Sequence, residues 1–174
     1  GGEGVRVGGA DGALCVGARA RGLATMEEDY GVVGVEAGGA KERVTVFLKV
    51  SGMTGGAVAN RSEFYDENGE KTASFDAALS PAGCDKAAEF VNFCDAFSIP
   101  VLTLTNVAGF AATVESEKNM ARAVARMTYT FVNATVPKVN VIVGKAYGSG
   151  YVAMNSKSSG PCVVYALPEN ETRL

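Results

Sequence analysis

Among the 174 residues there is no histidine. That absence removes the commonest general base and the Ser-His and Cys-His nucleophile pairs, and it leaves a zinc site of the usual kind short of ligands. The four cysteines, Cys15, Cys84, Cys94 and Cys162, form no C-x-x-C pair; they read as reduced, mostly buried thiols of a cytoplasmic protein. Apolar runs are short and interrupted, and none approaches the roughly 20 residues that a membrane-spanning helix requires. With a net charge of −3 and scattered Lys and Arg, the chain lacks the concentrated basic stripe of a nucleic-acid-binding surface. Neither G-x-G-x-x-G nor G-x-x-x-x-G-K-[ST] occurs, so neither common phosphate-cradling loop is available. No signal peptide is visible, and the N-x-[ST] sequons at Asn60, Asn133 and Asn170 read as chance matches. The chain does not begin with methionine, so the want of a leader carries little weight.

What is present suffices for one domain with a hydrophobic core. Composition shifts near residue 43: residues 1–43 hold more than half of the 22 glycines. Ala13–Val16 and Gly31–Val35 are short candidate strands there, with Gly-rich flanks that weaken both. We expect residues 1–43 to be a Gly-rich leader of uncertain order and 44–174 to be part of a folded domain. Val44–Val50 reads as a strand, Ser51-Gly52 as a turn and Gly56–Asn60 as the hairpin partner. Residues 61–79 are polar and read as a loop or insertion, with Asp66-Glu67-Asn68-Gly69 marking an exposed turn. That acidic cluster lacks calcium-loop spacing and reads as solvated surface. Ser80-Pro81 starts a helix, a capping hydroxyl followed by a proline preset for the first turn. Cys84, Ala87, Val91 and Cys94 recur on one face of it, with Phe90 and Phe97 beside them. Val101–Thr105 is a buried strand by its β-branched content. Ser116 is a candidate cap for a second helix with a core stripe of Met120, Val124, Met127, Phe131 and Ala134. Pro137 closes it. Val139–Val143 is another strand, Tyr151–Ser156 a short helix after a sharp turn, and Cys162–Ala166 a last strand. Such alternation predicts an α/β fold with a mostly parallel sheet and right-handed crossovers.

In open α/β sheets ligands gather beyond the carboxyl ends of the strands. Two turns fit that rule, Asn106–Ala112 and Tyr147–Gly150. Gly148-Ser149-Gly150 allows close approach to the main chain, and the following helix leaves its first N–H groups without intrahelical partners. Those donors suit a developing negative charge on oxygen. The glycines equally suit tight strand–helix packing, and spacing alone does not separate the two.

Several blocks bear on this. Phe93-Cys94-Asp95-Ala96-Phe97-Ser98-Ile99-Pro100 resembles the F-C-D-A-F-x-I-P of biotin-dependent acyl-CoA carboxyltransferase subunits. Asp85-Lys86-Ala87-Ala88 and Ala134-Thr135-Val136-Pro137-Lys138 are similar to that family's flanking blocks. Lys145-Ala146-Tyr147-Gly148-Ser149-Gly150-Tyr151 and Met154-Asn155-Ser156-Lys157 resemble its K-A-Y-G-G-A-Y…M-x-S-K, and Phe47–Asn60 resembles its preceding hairpin, ending in V-A-N. The blocks keep their order and spacing from Phe47 to Pro168.

The resemblance implies the C-terminal, biotin-side half of such an enzyme, with a crotonase-like spiral of strands and helices. It implies carboxyl transfer between carboxybiotin on a carrier protein and a coenzyme A thioester, the biotin ureido nitrogen serving as base. That fits a chain without histidine. By motif matching, the N–H groups of Ser149 and Gly150 become the catalytic donors to the ureido oxygen, and Gly109, Phe110, Tyr147 and Gly148 line the substrate or cofactor; no residue is assigned to a metal. Expected partners are a biotin carboxyl carrier protein, a biotin carboxylase or membrane decarboxylase subunits, and further copies of the chain. Three departures stand out. The family's glycine and alanine are Ser149 and Gly150 here; its V-P-G-F-x-P-G is Val107-Ala108-Gly109-Phe110-Ala111-Ala112-Thr113; and its N-terminal domain, with the acyl-CoA oxyanion hole, has no counterpart in the chain. Alternatives are the α-subunit of a biotin-dependent acyl-CoA decarboxylase, an inactive fragment of either enzyme, and a hydratase or isomerase using Glu115 or Glu117, which helix-end electrostatics explains more simply.

Overall fold

A β-branched, alternating segment and a two-residue turn begin the architecture. In the computed structural model, which describes residues 32–34, 40, 43–50, 52–60, 63–65, 71–74, 78–110, 114–154, 162–166 and 172–173, β2 (Arg43–Val50) and β3 (Met53–Asn60) form an antiparallel hairpin closed at Val50 and Met53. β1 (Val32–Gly34) adds antiparallel to β2. The candidate strand Ala13–Val16 and the acidic turn at 66–69 lie outside the described residues.

The polar stretch after the hairpin is not simply a loop: β4 (Glu63–Tyr65) and β5 (Lys71–Ser74) pair antiparallel in a separate two-stranded ribbon. Each is too short for an alternating pattern to show through its polar residues. β6 (Ala78–Leu79) then leads to α1 (Pro81–Ala96). The Ser80 hydroxyl accepts the Gly83 N–H at 3.0 Å, and Pro81 opens the first turn. The helix buries Cys84, Ala87, Phe90, Val91 and Cys94 as its periodicity predicts. Phe97 departs from that stripe: it lies beyond the last helical residue, is 65% exposed and stacks on Phe93 with ring centroids 4.5 Å apart.

β7 (Val101–Val107), β9 (Lys138–Tyr147) and β10 (Cys162–Ala166) run parallel to one another, and β7 runs parallel to β3. β8 (Gly109–Phe110) pairs with β6, and β11 (Thr172–Arg173) adds to β9. The main sheet therefore reads β1-β2-β3-β7-β9-β10, antiparallel at one side and parallel at the other. Between β7 and β9 lies α2 (Val114–Asn133), which starts two residues before Ser116, so Ser116 stands in its first turn and is not its cap. The helices α1 and α2 cover one face of the sheet, where Val58, Val101, Val107, Ala123, Met127 and Phe131 meet α1's buried stripe in the principal core. Val46, Leu48, Ala57, Ala59 and Leu104 form a second apolar cluster. Among the described helices none is long and apolar enough to cross a membrane.

The conspicuous sequence blocks act as joints at the amino ends of the parallel strands. The Asp95 carboxylate accepts the Thr135 N–H at 2.7 Å, the Thr135 hydroxyl at 3.0 Å and the Val136 N–H at 3.3 Å. These donors, the Thr135 amide foremost, lower its pKa below the ordinary carboxylate value. Lys138 is buried, and its ammonium donates to the Phe131 and Ala134 carbonyls at 2.7 and 2.6 Å, closing the end of α2. Pro100 offers its carbonyl to the Gly56 N–H at 2.8 Å.

Candidate active site

The opposite, carboxyl ends of β7 and β9 carry the two turns that the sheet topology singles out. β9 passes into α3 (Gly148–Ala153) without a linker. The helix begins three residues before the expected Tyr151, because Gly148 takes φ +52° and turns the chain at once. Ser149 and Gly150 thereby stand in the first helical turn, the part of a helix whose N–H groups have no intrahelical acceptor.

The structure brings the two turns into contact. A Cβ built on Gly150 would lie 2.7 Å from Val107 Cγ1 and 3.5 Å from the Gly109 carbonyl oxygen. Gly150 is therefore a packing position. Gly148 and Gly109 differ: no described atom lies within 4 Å of the corresponding Cβ position at either. Packing and access, left undivided by spacing, thus fall on different glycines of the same turn. Phe110 is partly buried against the principal core and pairs through β8 with Leu79, so it anchors its turn from below. Tyr147 is half-buried at the end of β9, opposite Arg173 of β11.

Polar residues to which the motifs assign no role hold this end together. Thr105 donates to Asn140 Oδ1 at 2.8 Å, and Asn140 Nδ2 donates to the Met154 carbonyl at 3.1 Å just past α3. Thr105 and Asn140 are fully buried. The buried Arg43 donates from Nη1 to the Met154 sulfur, so β2 also reaches the end of α3. At the other end of α3, Asn60 and Asn106 join three strand ends: Asn60 Oδ1 accepts the Asn106 N–H at 3.1 Å, Asn60 Nδ2 donates to the Asn106 carbonyl, and Asn106 Oδ1 accepts the Lys145 N–H at 3.0 Å. Thr105 and Asn140 show in the sequence only as polar residues in β-branched strands; Asn60 ends the V-A-N block and Asn106 opens a candidate turn, but no spacing announces that the two pair.

No described cluster of Cys, Asp and Glu could hold a metal ion. Cys94 is no nucleophile either, since burial pushes its thiol up to about 11. Glu115 and Glu117 lie in the first turn of α2, and their side chains are outside the described atoms. The chemistry available in the described parts of this end is that of main-chain amides, a short helix start and open glycine surface.

A profile of the carboxyl transferase domain matches residues 24–173. The methylmalonyl-CoA carboxyltransferase 12S subunit of Propionibacterium freudenreichii subsp. shermanii is 41% identical over 138 residues, covering 79% of this chain and 24% of that one. The methylmalonyl-CoA decarboxylase subunit alpha of Propionigenium modestum is 40% identical over 138 residues, covering 75% and 24%. A crystal structure of the transcarboxylase 12S hexamer with hydrolysed methylmalonyl-coenzyme A bound superposes with a TM-score of 0.72 at 39% identity, covering 83% of this chain and 27% of that chain. The likeness identifies the fold as crotonase-like α/β. The chain spans about a quarter of the length of these relatives.

Proposed function

This chain belongs to the carboxyl transferase domain family, and on that premise we propose that it forms the biotin-facing part of a site for carboxyl transfer to or from an acyl-CoA. The observation that carries the reading is the meeting of the Gly109 and Gly148–Gly150 turns at the carboxyl ends of two parallel strands, with no described atom within 4 Å of a Cβ position at Gly109 or Gly148.

What supports a biotin ureido group here is a helix start at Gly148, with main-chain N–H groups at Ser149 and Gly150 and no described atom near the Cβ positions of Gly109 and Gly148. Biotin, when carboxylated on its carrier, supplies the carboxyl group and a nitrogen base. The chain's own part would be electrostatic: the N–H groups of Ser149 and Gly150 would hold the ureido oxygen and stabilise negative charge on it. Fixed donors need no reorganisation during the reaction, and one of them is worth about 3–4 kcal/mol in comparable oxyanion holes. Gly148 and Gly109 keep side chains out of the approach, Phe110 buttresses the turn, and Tyr147 borders it. The acyl-CoA side of the site lies in this reading on another part of the polypeptide or on a second copy. A biotin carrier protein and a carboxylase or membrane decarboxylase subunit are the partners it calls for, in the cytoplasm.

Relatives acting in both directions match the chain about equally, so a decarboxylase α-subunit remains the second reading. One assay covers both. The full-length polypeptide containing this segment should decarboxylate methylmalonyl-CoA or malonyl-CoA faster when free biotin is added, and the 174-residue chain alone should be inactive or nearly so. Turnover indifferent to biotin would overturn the reading.

A further inference from the structure

Asn106 occupies an irregular place in the sheet. β7 and β9 pair in register up to Thr105 and Ile142, then resume at Val107 and Ala146, so Asn106 alone stands opposite Val143, Gly144 and Lys145. The longer strand must bulge there, and a bulge leaves ladder groups in need of other partners. Asn106 supplies one: its side-chain carbonyl takes the Lys145 N–H at 3.0 Å. The room for that carboxamide comes from Gly144, where a Cβ would lie 2.5 Å from Asn106 Oδ1.

Asn106 is held in turn. Pairing between β3 and β7 ends at Ala59 and Leu104. Beyond it the Asn60 carboxamide, with one donor and one acceptor face, exchanges two hydrogen bonds with the Asn106 main chain as a peptide unit of a continuing strand would. Asn60 is buried, with 2% of its surface exposed. Three strand ends are thus fixed to one another immediately before Gly148.

We infer that Asn106, pinned by Asn60, is a positioning residue that sets the path of β9 through Gly144-Lys145 and hence the place of the Gly148–Gly150 turn. A slip of one residue would carry that turn about 3.3 Å along the strand. Displacements of about 1 Å in a reacting geometry can cost about a hundredfold in rate. The catalytic consequence rests on the reading of Ser149 and Gly150 as donors; the structural one does not.

The test uses Asn106→Leu, which keeps the bulk without an acceptor, and Asn106→Asp, whose carboxylate retains the acceptor for Lys145 N–H. Both are made in the full-length polypeptide. Amide hydrogen exchange across residues 143–151 should quicken about tenfold or more in Asn106→Leu and stay near wild type in Asn106→Asp. Biotin-stimulated decarboxylation should lose about tenfold or more in kcat in Asn106→Leu, with KM for the acyl-CoA little moved, and should recover to within about threefold in Asn106→Asp. Unchanged exchange in Asn106→Leu, or equal losses in both variants, would overturn the inference. Quickened exchange with kcat intact would support the positioning role while counting against the catalytic reading of the turn.

Discussion

At the scale of single residues, contact distance and hydrogen bonding decide what each position tolerates. A Cβ on Gly56 would stand 2.5 Å from Cys94 Sγ and 3.0 Å from the Phe90 ring. Gly56→Ala therefore overpacks the joint between β3 and α1 and should lower unfolding stability by about 1–3 kcal/mol in a urea titration. Asp95 makes a different kind of joint, tying the end of α1 to the segment before β9. Its folded-state pKa is depressed, chiefly by the Thr135 amide. Its contribution is therefore complete above the ordinary carboxylate range and lost as pH falls through the depressed value. Asp95→Ala should cost about 1 kcal/mol near neutrality, a modest figure because the bonds are exposed. That difference from wild type should shrink steadily below about pH 4. A difference that holds constant into acid would contradict the assignment.

At the scale of elements, the helix ends show how local chemistry sets boundaries. Ser80 caps α1 through its hydroxyl, and Ser80→Ala should lower stability by about 1 kcal/mol. At the other end Ser98 adopts φ 57°, a left-handed turn residue without being glycine. Ser98→Gly should raise the melting temperature slightly, by relief of about 1 kcal/mol of backbone strain. The cap is a local signal, which is why the start of α1 at Ser80-Pro81 is legible in sequence. The same holds for β2, β7 and β10, whose β-branched runs mark them. β9 is less legible: Val139–Val143 stands out, yet the strand continues to Tyr147, because its last residues follow a bulge set by Asn106. Nothing in a one-dimensional pattern announces a hydrogen bond between residues 39 or 46 positions apart. The ribbon of β4 and β5 is illegible for the opposite reason, being too short and polar to show a period.

At the scale of the whole molecule, the family blocks divide by position in the sheet. Those around Asp95, Pro100 and Lys138 serve assembly at the amino ends of the strands, while the block around Gly148 lies at the carboxyl ends, where the proposed chemistry sits. Spacing treats the glycines of the Gly148–Gly150 turn alike; the structure makes Gly150 a packing position, while no described atom lies within 4 Å of the Cβ position at Gly148 or Gly109. Two exposed rings at the end of α1, Phe93 and Phe97, together with Tyr129 on α2, leave apolar surface on the chain. The packing at Gly150 also dictates the control for the central experiment. Gly150→Pro removes the N–H and adds a Cβ against Val107, whereas Gly150→Ala adds the same Cβ and keeps the N–H. In the folded full-length polypeptide, biotin-stimulated decarboxylation of methylmalonyl-CoA should fall about a hundredfold in Gly150→Pro, and only a few-fold in Gly150→Ala and Ser149→Ala. Full activity in Gly150→Pro, or an equal loss in Gly150→Ala, would contradict the account of the turn as a main-chain donor site.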